Sequence, residues 1–162
     1  MKVDDCHRLT EPIASLQRVV DLAPRTVIFD VEPLVAYWDT DEAALRAGVK
    51  SALEAMATMP TALTVCFATN SRRRLTVAPA HPGISVSYVA SAFKPFRTAL
   101  FRGLPRPGVV VGDQIATDGV LAWRLGFTFI HYRPILAAAP VGPKIMNGLG
   151  QAFRPFLFTA KG

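Results

Sequence analysis

Short apolar runs and longer amphipathic repeats alternate along this chain. Thr26-Val27-Ile28-Phe29-Asp30, Leu63–Ala68 and Val109-Val110-Val111 are compact apolar runs, and each gives way to polar residues. Such runs read as buried strands of a parallel sheet. Ile84–Val89 alternates with period two, and Phe127–Tyr132, closed by Pro134, predicts a fifth strand. Between these runs the period becomes helical. Over Thr10–Leu22, Thr10 can cap, Pro12 suits the first turn, and Ile13, Leu16, Val19 and Val20 share a face. Asp39 or Thr40 is expected to cap a second helix, in which Leu45, Val49, Leu53 and Met56 repeat before Pro60. Lys94-Pro95 is expected to open a short helix through about Phe101. A further helix from about Thr117 to Leu125 stops at Gly126, a natural C-cap.

The alternation predicts an α/β domain, a Rossmann-like three-layer αβα arrangement around a mostly parallel sheet. Its short connections leave little room for a large cap domain. The expected division is one α/β domain over residues 1–134 and an extension over 135–162, docked on the domain or flexible. That extension holds Pro140, Gly142, Pro143, Gly148, Gly150 and Pro155. Its Ile145–Phe158 stretch mixes apolar residues with a few bases.

With 162 residues, 51% of them hydrophobic, the chain can bury a core and is not of disordered composition. No apolar stretch approaches the ~18–20 residues needed to span a bilayer. The opening Met1-Lys2-Val3-Asp4-Asp5 places acids where a signal peptide carries bases, so a cytoplasmic location is the expectation. Cys6 and Cys66 are expected to be reduced thiols, Cys66 within the core. The formal charge of +6 attracts phosphates, nucleic acid or anionic head groups without choosing among them. No nucleic-acid motif accompanies it, so no nucleic-acid partner is expected.

Candidate chemistry lies where strands end, because ligands of open parallel sheets bind beyond the carboxyl ends of the strands. Four polar stations fall there: Asp30/Glu32, Thr69/Asn70, Lys94 and Asp113/Asp118. Phosphoryl transfer needs such a set. A carboxylate attacks phosphorus. A divalent cation held by acids neutralises charge on the transferring group. A hydroxyl and a lysine bind phosphoryl oxygens, and a second acid moves the proton.

The chain here resembles the haloacid dehalogenase superfamily of phosphohydrolases. The likeness is greatest to a small, cap-poor subgroup that includes the YqeG-type phosphatases, to which mitochondrial phosphatidylglycerophosphate phosphatases are related. Val110-Val111-Gly112-Asp113-Gln114-Ile115-Ala116-Thr117-Asp118, continued by Trp123-Arg124-Leu125-Gly126, resembles the family's fourth motif. Ala92-Phe93-Lys94-Pro95 resembles the third and Ala68-Thr69-Asn70-Ser71 the second. The first motif, D-x-D-x-T-L in the family, reads Asp30-Val31-Glu32-Pro33-Leu34-Val35. Trp38-Asp39 again resembles the subgroup.

The resemblance implies Mg²⁺-dependent hydrolysis of a phosphomonoester through an aspartyl-phosphate. Asp30 would attack, Glu32 would act as acid/base, and Thr69, Asn70 and Lys94 would bind phosphate. Asp30, Asp113 and position 32, through its carbonyl, would hold Mg²⁺. Asp118 would support the site. It is equally readable as a helix-terminal acid or as a group orienting Lys94 or the metal. Glu32 stands between a working acid/base and a vestige: it is one methylene longer than aspartate, Pro33 removes an N–H, and Leu34 replaces a hydroxyl. The alternative is a catalytically impaired pseudo-enzyme of this fold, acting as a binding or scaffolding module. The partner implied is a phosphorylated small molecule or a lipid head group. The tail, with Phe153, Arg154, Phe156, Leu157, Phe158 and Lys161, is expected to dock on the domain or touch a membrane surface. Arg72–Arg74 reads as a solvated charge run, His7, His81 and His131 as structural or exposed, and Trp38 and Trp123 as packing residues.

Overall fold

The structure is a computed structural model that describes residues 12–59, 62–133 and 141–157. The expectations for Cys6, His7, Thr10, Pro60, Pro134, Pro140, Phe158 and Lys161, and for the side chains of Ile13 and Phe153, fall outside the described residues. Five strands, β1 (Thr26–Asp30), β2 (Leu63–Ala68), β3 (Ile84–Val89), β4 (Gly108–Gly112) and β5 (Thr128–His131), pair in parallel in the order β3-β2-β1-β4-β5. The chain winds outward from β1 through β2 to β3, then returns to β4 on the other side of β1. The reversal between β1 and β4 is a topological switch point, where the loops leaving two neighbouring strands part and open a crevice. Val111 pairs with Phe29, so Asp30 and Asp113 leave the sheet side by side.

The strands are buried on both faces because their side chains alternate between two cores. Val27, Phe29, Val65, Phe67, Val109 and Val111 face α1 (Pro12–Leu22) and α2 (Glu42–Met56). Ile28, Cys66, Ala68, Val110 and Phe129 face Phe101, Ile115 and the Leu121, Ala122 and Leu125 side of α3 (Val120–Leu125). This is the three-layer αβα arrangement, without a large cap domain among the described residues. β3 is one of the two edge strands, and its period-two pattern turns Val86 to the core and Ser85 and Ser87 to solvent.

Four local expectations are corrected. The N-cap of α2 is Asp41, whose Oδ1 accepts from Ala44 N at 2.8 Å; the Thr40 hydroxyl is turned back to Tyr37 O. Residues 94–101 form turns and a three-residue 3₁₀ segment, Thr98–Leu100, instead of a short helix. Pro95 disfavours a helical conformation at Lys94, Phe93 has φ 50°, and the Lys94 N–H is taken by the Asn70 side chain. The segment after β4 begins with a π turn, Ile115–Gly119, before α3. Asp118 N and Gly119 N both donate to Gln114 O, which widens the turn. Trp123 is exposed on the outer side of α3, not packed.

The chain past Pro134 contains a helix, α4 (Val141–Leu157), seated on the π turn. Gly150 permits that contact, because a Cβ there would lie 3.1 Å from Ala116 N and from Ile115 Cβ.

Candidate active site

The site forms where the strand-end loops are tied to one another. Asp30 ends β1, and its Oδ1 accepts from the N–H of Val31 at 2.9 Å. The loops after β2 and β3 are joined by Ala92 N donating to Thr69 O and Ser91 N donating to Ser71 O. Asn70 completes the join: its Oδ1 accepts from Lys94 N at 2.7 Å and its Nδ2 donates to Lys94 O at 3.1 Å. The backbone of Lys94 is thereby clasped from both sides, and its side chain runs inward. Phe93 and Ser91 lie in the left-handed region at φ 50° and 49°, a cost of about 1–2 kcal/mol per residue. The cross-loop bonds offset that strain.

Lys94 Nζ donates to Asp30 Oδ1 and to Asp118 Oδ1, each at 2.7 Å, and all three groups are buried. Asp118 is carried here by the π turn. Its Oδ2 accepts from Gln114 N at 3.3 Å and crowds Gly112, where a Cβ would fall 2.4 Å from it. Glycine at 112 is the condition for that carboxylate to reach the lysine. Oxygens of Asp30, Asp113 and Asp118 lie within 4.8 Å of one another. His131 sits behind them: its Nε2–H donates to Asp113 O at 3.0 Å, while Nδ1 accepts from Arg133 Nε at 3.4 Å.

The electrostatics follow from three carboxylates around one ammonium. Burial raises the Asp30 pKa well above the usual carboxylate range, and the Asp118 charge pushes it further; the Lys94 ammonium opposes both. Burial alone would lower Lys94, but Asp118 and Asp30 outweigh it and hold the ammonium protonated. The surplus of buried negative charge, with oxygen-only donors, is chemistry that fits a hard divalent cation. Asp30, Asp113 and Asp118 are the residues that could hold one.

The Glu32 side chain takes another direction. It is buried, but it accepts from the Thr69 hydroxyl at 2.6 Å and from the Ser71 hydroxyl at 3.3 Å. Arg73 stands 3.7 Å from its Oε1. Its carboxylate is therefore outside the three-aspartate cluster, so the side chain of the expected metal-binding position 32 is not among the carboxylates that gather there. Leu34, at the expected threonine position, is buried in the core beside α2.

The structure thus gathers Asp30, Lys94, Asp113 and Asp118 into one buried group, sets Glu32 and Thr69 together beside it, and uses Asn70 to hold the Lys94 backbone. Arg73, Ser71 and His131 are polar neighbours to which the sequence reading gave no role in the site. Arg73 departs from the solvated-run expectation: its guanidinium donates to Tyr37 O, Thr40 O, Thr40 Oγ1 and Asp41 O at 2.6–2.9 Å. No spacing signal marks it, because its partners lie more than thirty positions away. Arg72 and Arg74 are exposed.

No protein-family model, no curated protein and no solved structure matches this chain.

Proposed function

We propose that this protein is a Mg²⁺-dependent phosphatase of the haloacid dehalogenase type, hydrolysing a phosphomonoester through an aspartyl-phosphate. The observation that carries the reading is Lys94 bridging Asp30 and Asp118 at 2.7 Å beside Asp113, at the switch point of a parallel sheet. Asp30 attacks phosphorus as the bond to the leaving oxygen breaks, and Glu32 gives that oxygen its proton. Glu32 then takes a proton from water, whose oxygen attacks the aspartyl-phosphate; phosphate leaves and Asp30 is regenerated. Lys94 fixes the Asp30 carboxylate and offers positive charge to the phosphoryl oxygens, as does the Thr69 hydroxyl once it turns from Glu32. Mg²⁺, held by Asp30, Asp113 and the carbonyl of residue 32, would neutralise charge on the phosphoryl group.

A second reading, a pseudo-enzyme that binds without turnover, is favoured by one observation. The Thr69 hydroxyl and the Glu32 carboxylate engage each other at 2.6 Å, with Arg73 behind, so two of the working groups are already partnered. One experiment separates the two readings: Mg²⁺-dependent phosphate release from a panel of phosphomonoesters by wild type and by Asp30→Asn. Release that needs Mg²⁺ and vanishes in the variant is the expected result. No release above the variant on any substrate, with Mg²⁺ binding retained, would overturn the phosphatase and favour the module.

A further inference from the structure

α4 is unlike most helices docked on a globular domain, because it presents apolar residues to solvent as well as to the core. Such helices bury their apolar stripe and expose polar residues. Here Gly150 is buried against the π turn, Leu157 packs on the core beneath α3, and Met146 and Arg154 are half-buried. At about 100° per residue these four positions span about 80° of the helix surface. On the opposite side lie Val141, Ile145, Leu149 and Phe156, exposed to 72%, 58%, 52% and 85%, with Ala152 also exposed. These five positions also fall within about 80°. The stripe runs the length of the 17-residue helix, and its centre lies about 140° around the helix from that of the docked side.

We propose that this stripe is a docking surface for an anionic lipid bilayer, on which α4 lies in the interfacial plane. Helices that do so pair an apolar face with cations that meet the head groups. The sequence of α4 contains no Asp or Glu, so no acid on the helix opposes such a surface, and the chain carries a net charge of +6. A second copy of this chain would bring together two molecules of the same net positive charge, whereas an anionic surface complements that charge. Because α4 is seated on the π turn that carries Asp118, the bilayer would lie about one helix diameter, ~10 Å, from that turn. The inference goes beyond the phosphatase reading and does not depend on it.

The test is co-sedimentation of the full chain with phosphatidylcholine vesicles, with and without phosphatidylglycerol, alongside solution mass and thermal unfolding. Wild type is expected to bind the anionic vesicles, less at high salt, and to bind neutral ones weakly. Combined Ile145→Glu, Leu149→Glu and Phe156→Glu should weaken binding by about a hundredfold or more, with mass and melting unchanged. Phe156→Glu alone should weaken it about tenfold. Wild type that stays in solution with anionic vesicles, or variants that bind as wild type does, would overturn the proposal. So would a wild-type dimer that the triple variant dissolves, with no vesicle binding, which assigns the stripe to a second copy. Phosphate release plays no part in the readout, so failure here leaves the catalytic reading standing.

Discussion

Lys94 Nζ stands 2.7 Å from Asp30 Oδ1 and 2.7 Å from Asp118 Oδ1, so one buried ammonium joins the end of β1 to the turn after β4. Removing it leaves two buried carboxylates without their shared counter-ion. Lys94→Met is expected to lose about 3–5 kcal/mol of stability in metal-free buffer at neutral pH, read by urea unfolding. A loss below about 1 kcal/mol, the range of exposed ion pairs, would show that the bridge is solvated and does not organise the site.

Asp30 carries the opposite sign. Its folded pKa is raised, first by burial and then by Asp118, so the folded state holds this proton more tightly than the unfolded chain does. The unfolded carboxyl releases its proton near pH ~4, so the contribution of Asp30 to stability falls as pH rises from there through its higher folded pKa. Lys94, also raised, keeps its contribution throughout that window because it stays protonated in both states. Asp30→Asn should therefore stabilise the metal-free protein at pH ~7 and have little effect near pH ~4. The comparison uses urea midpoints of both proteins across pH in EDTA. Wild type more stable than the variant at neutral pH would overturn this reading of the site. Added Mg²⁺ should narrow the difference if the cluster binds it.

Much of this arrangement was legible because local pattern and tertiary outcome agree. The apolar runs that end at Asp30 and in Val109-Val110-Val111 became the two strands at the switch point, and the polar residues that punctuate them became the site. Legibility failed where long-range bonds override local preference. Lys94-Pro95 looks like a helix start, yet Asn70 takes the Lys94 N–H from the preceding loop, and no local signal encodes that bond. The opposed faces of α4 needed the structure as well. Its sequence mixes apolar residues with a few bases, but it takes the buried Gly150 and the packed Leu157 to show which side meets the domain.

Gly112 is required by proximity to Asp118. A Cβ at 112 would lie 2.4 Å from Asp118 Oδ2 and 2.5 Å from its Cγ. Gly112→Ala is expected to cost about 1–3 kcal/mol and to weaken Mg²⁺ binding by displacing that carboxylate from Lys94. Gly103, around which a Cβ meets nothing within 4 Å, supplies the control, with Gly103→Ala within about 0.5 kcal/mol of wild type. Unfolding and calorimetric Mg²⁺ titration of both variants decide the matter. Equal effects at 112 and 103 would refute the steric account.

Arg73 is the member of the basic run that reaches across to the loop ahead of α2, and its role is read from the loop it holds. Its guanidinium gathers Tyr37 O, Thr40 O, Thr40 Oγ1 and Asp41 O, and it faces Glu32 at 3.7 Å. The carbonyls lie at the surface and can turn to water, so Arg73→Met should cost a modest ~1–3 kcal/mol. The distinguishing effect is local. Amides of residues 37–44 should exchange hydrogen faster, because the loop ahead of α2 loses its anchor while the sheet does not. Arg73→Lys should restore little, since a point charge does not reproduce the planar fork that spans several acceptors. Hydrogen exchange read by mass spectrometry checks both variants. Unchanged exchange over 37–44 in Arg73→Met would mean that the loop stands on its own packing and that the arginine merely lies against it.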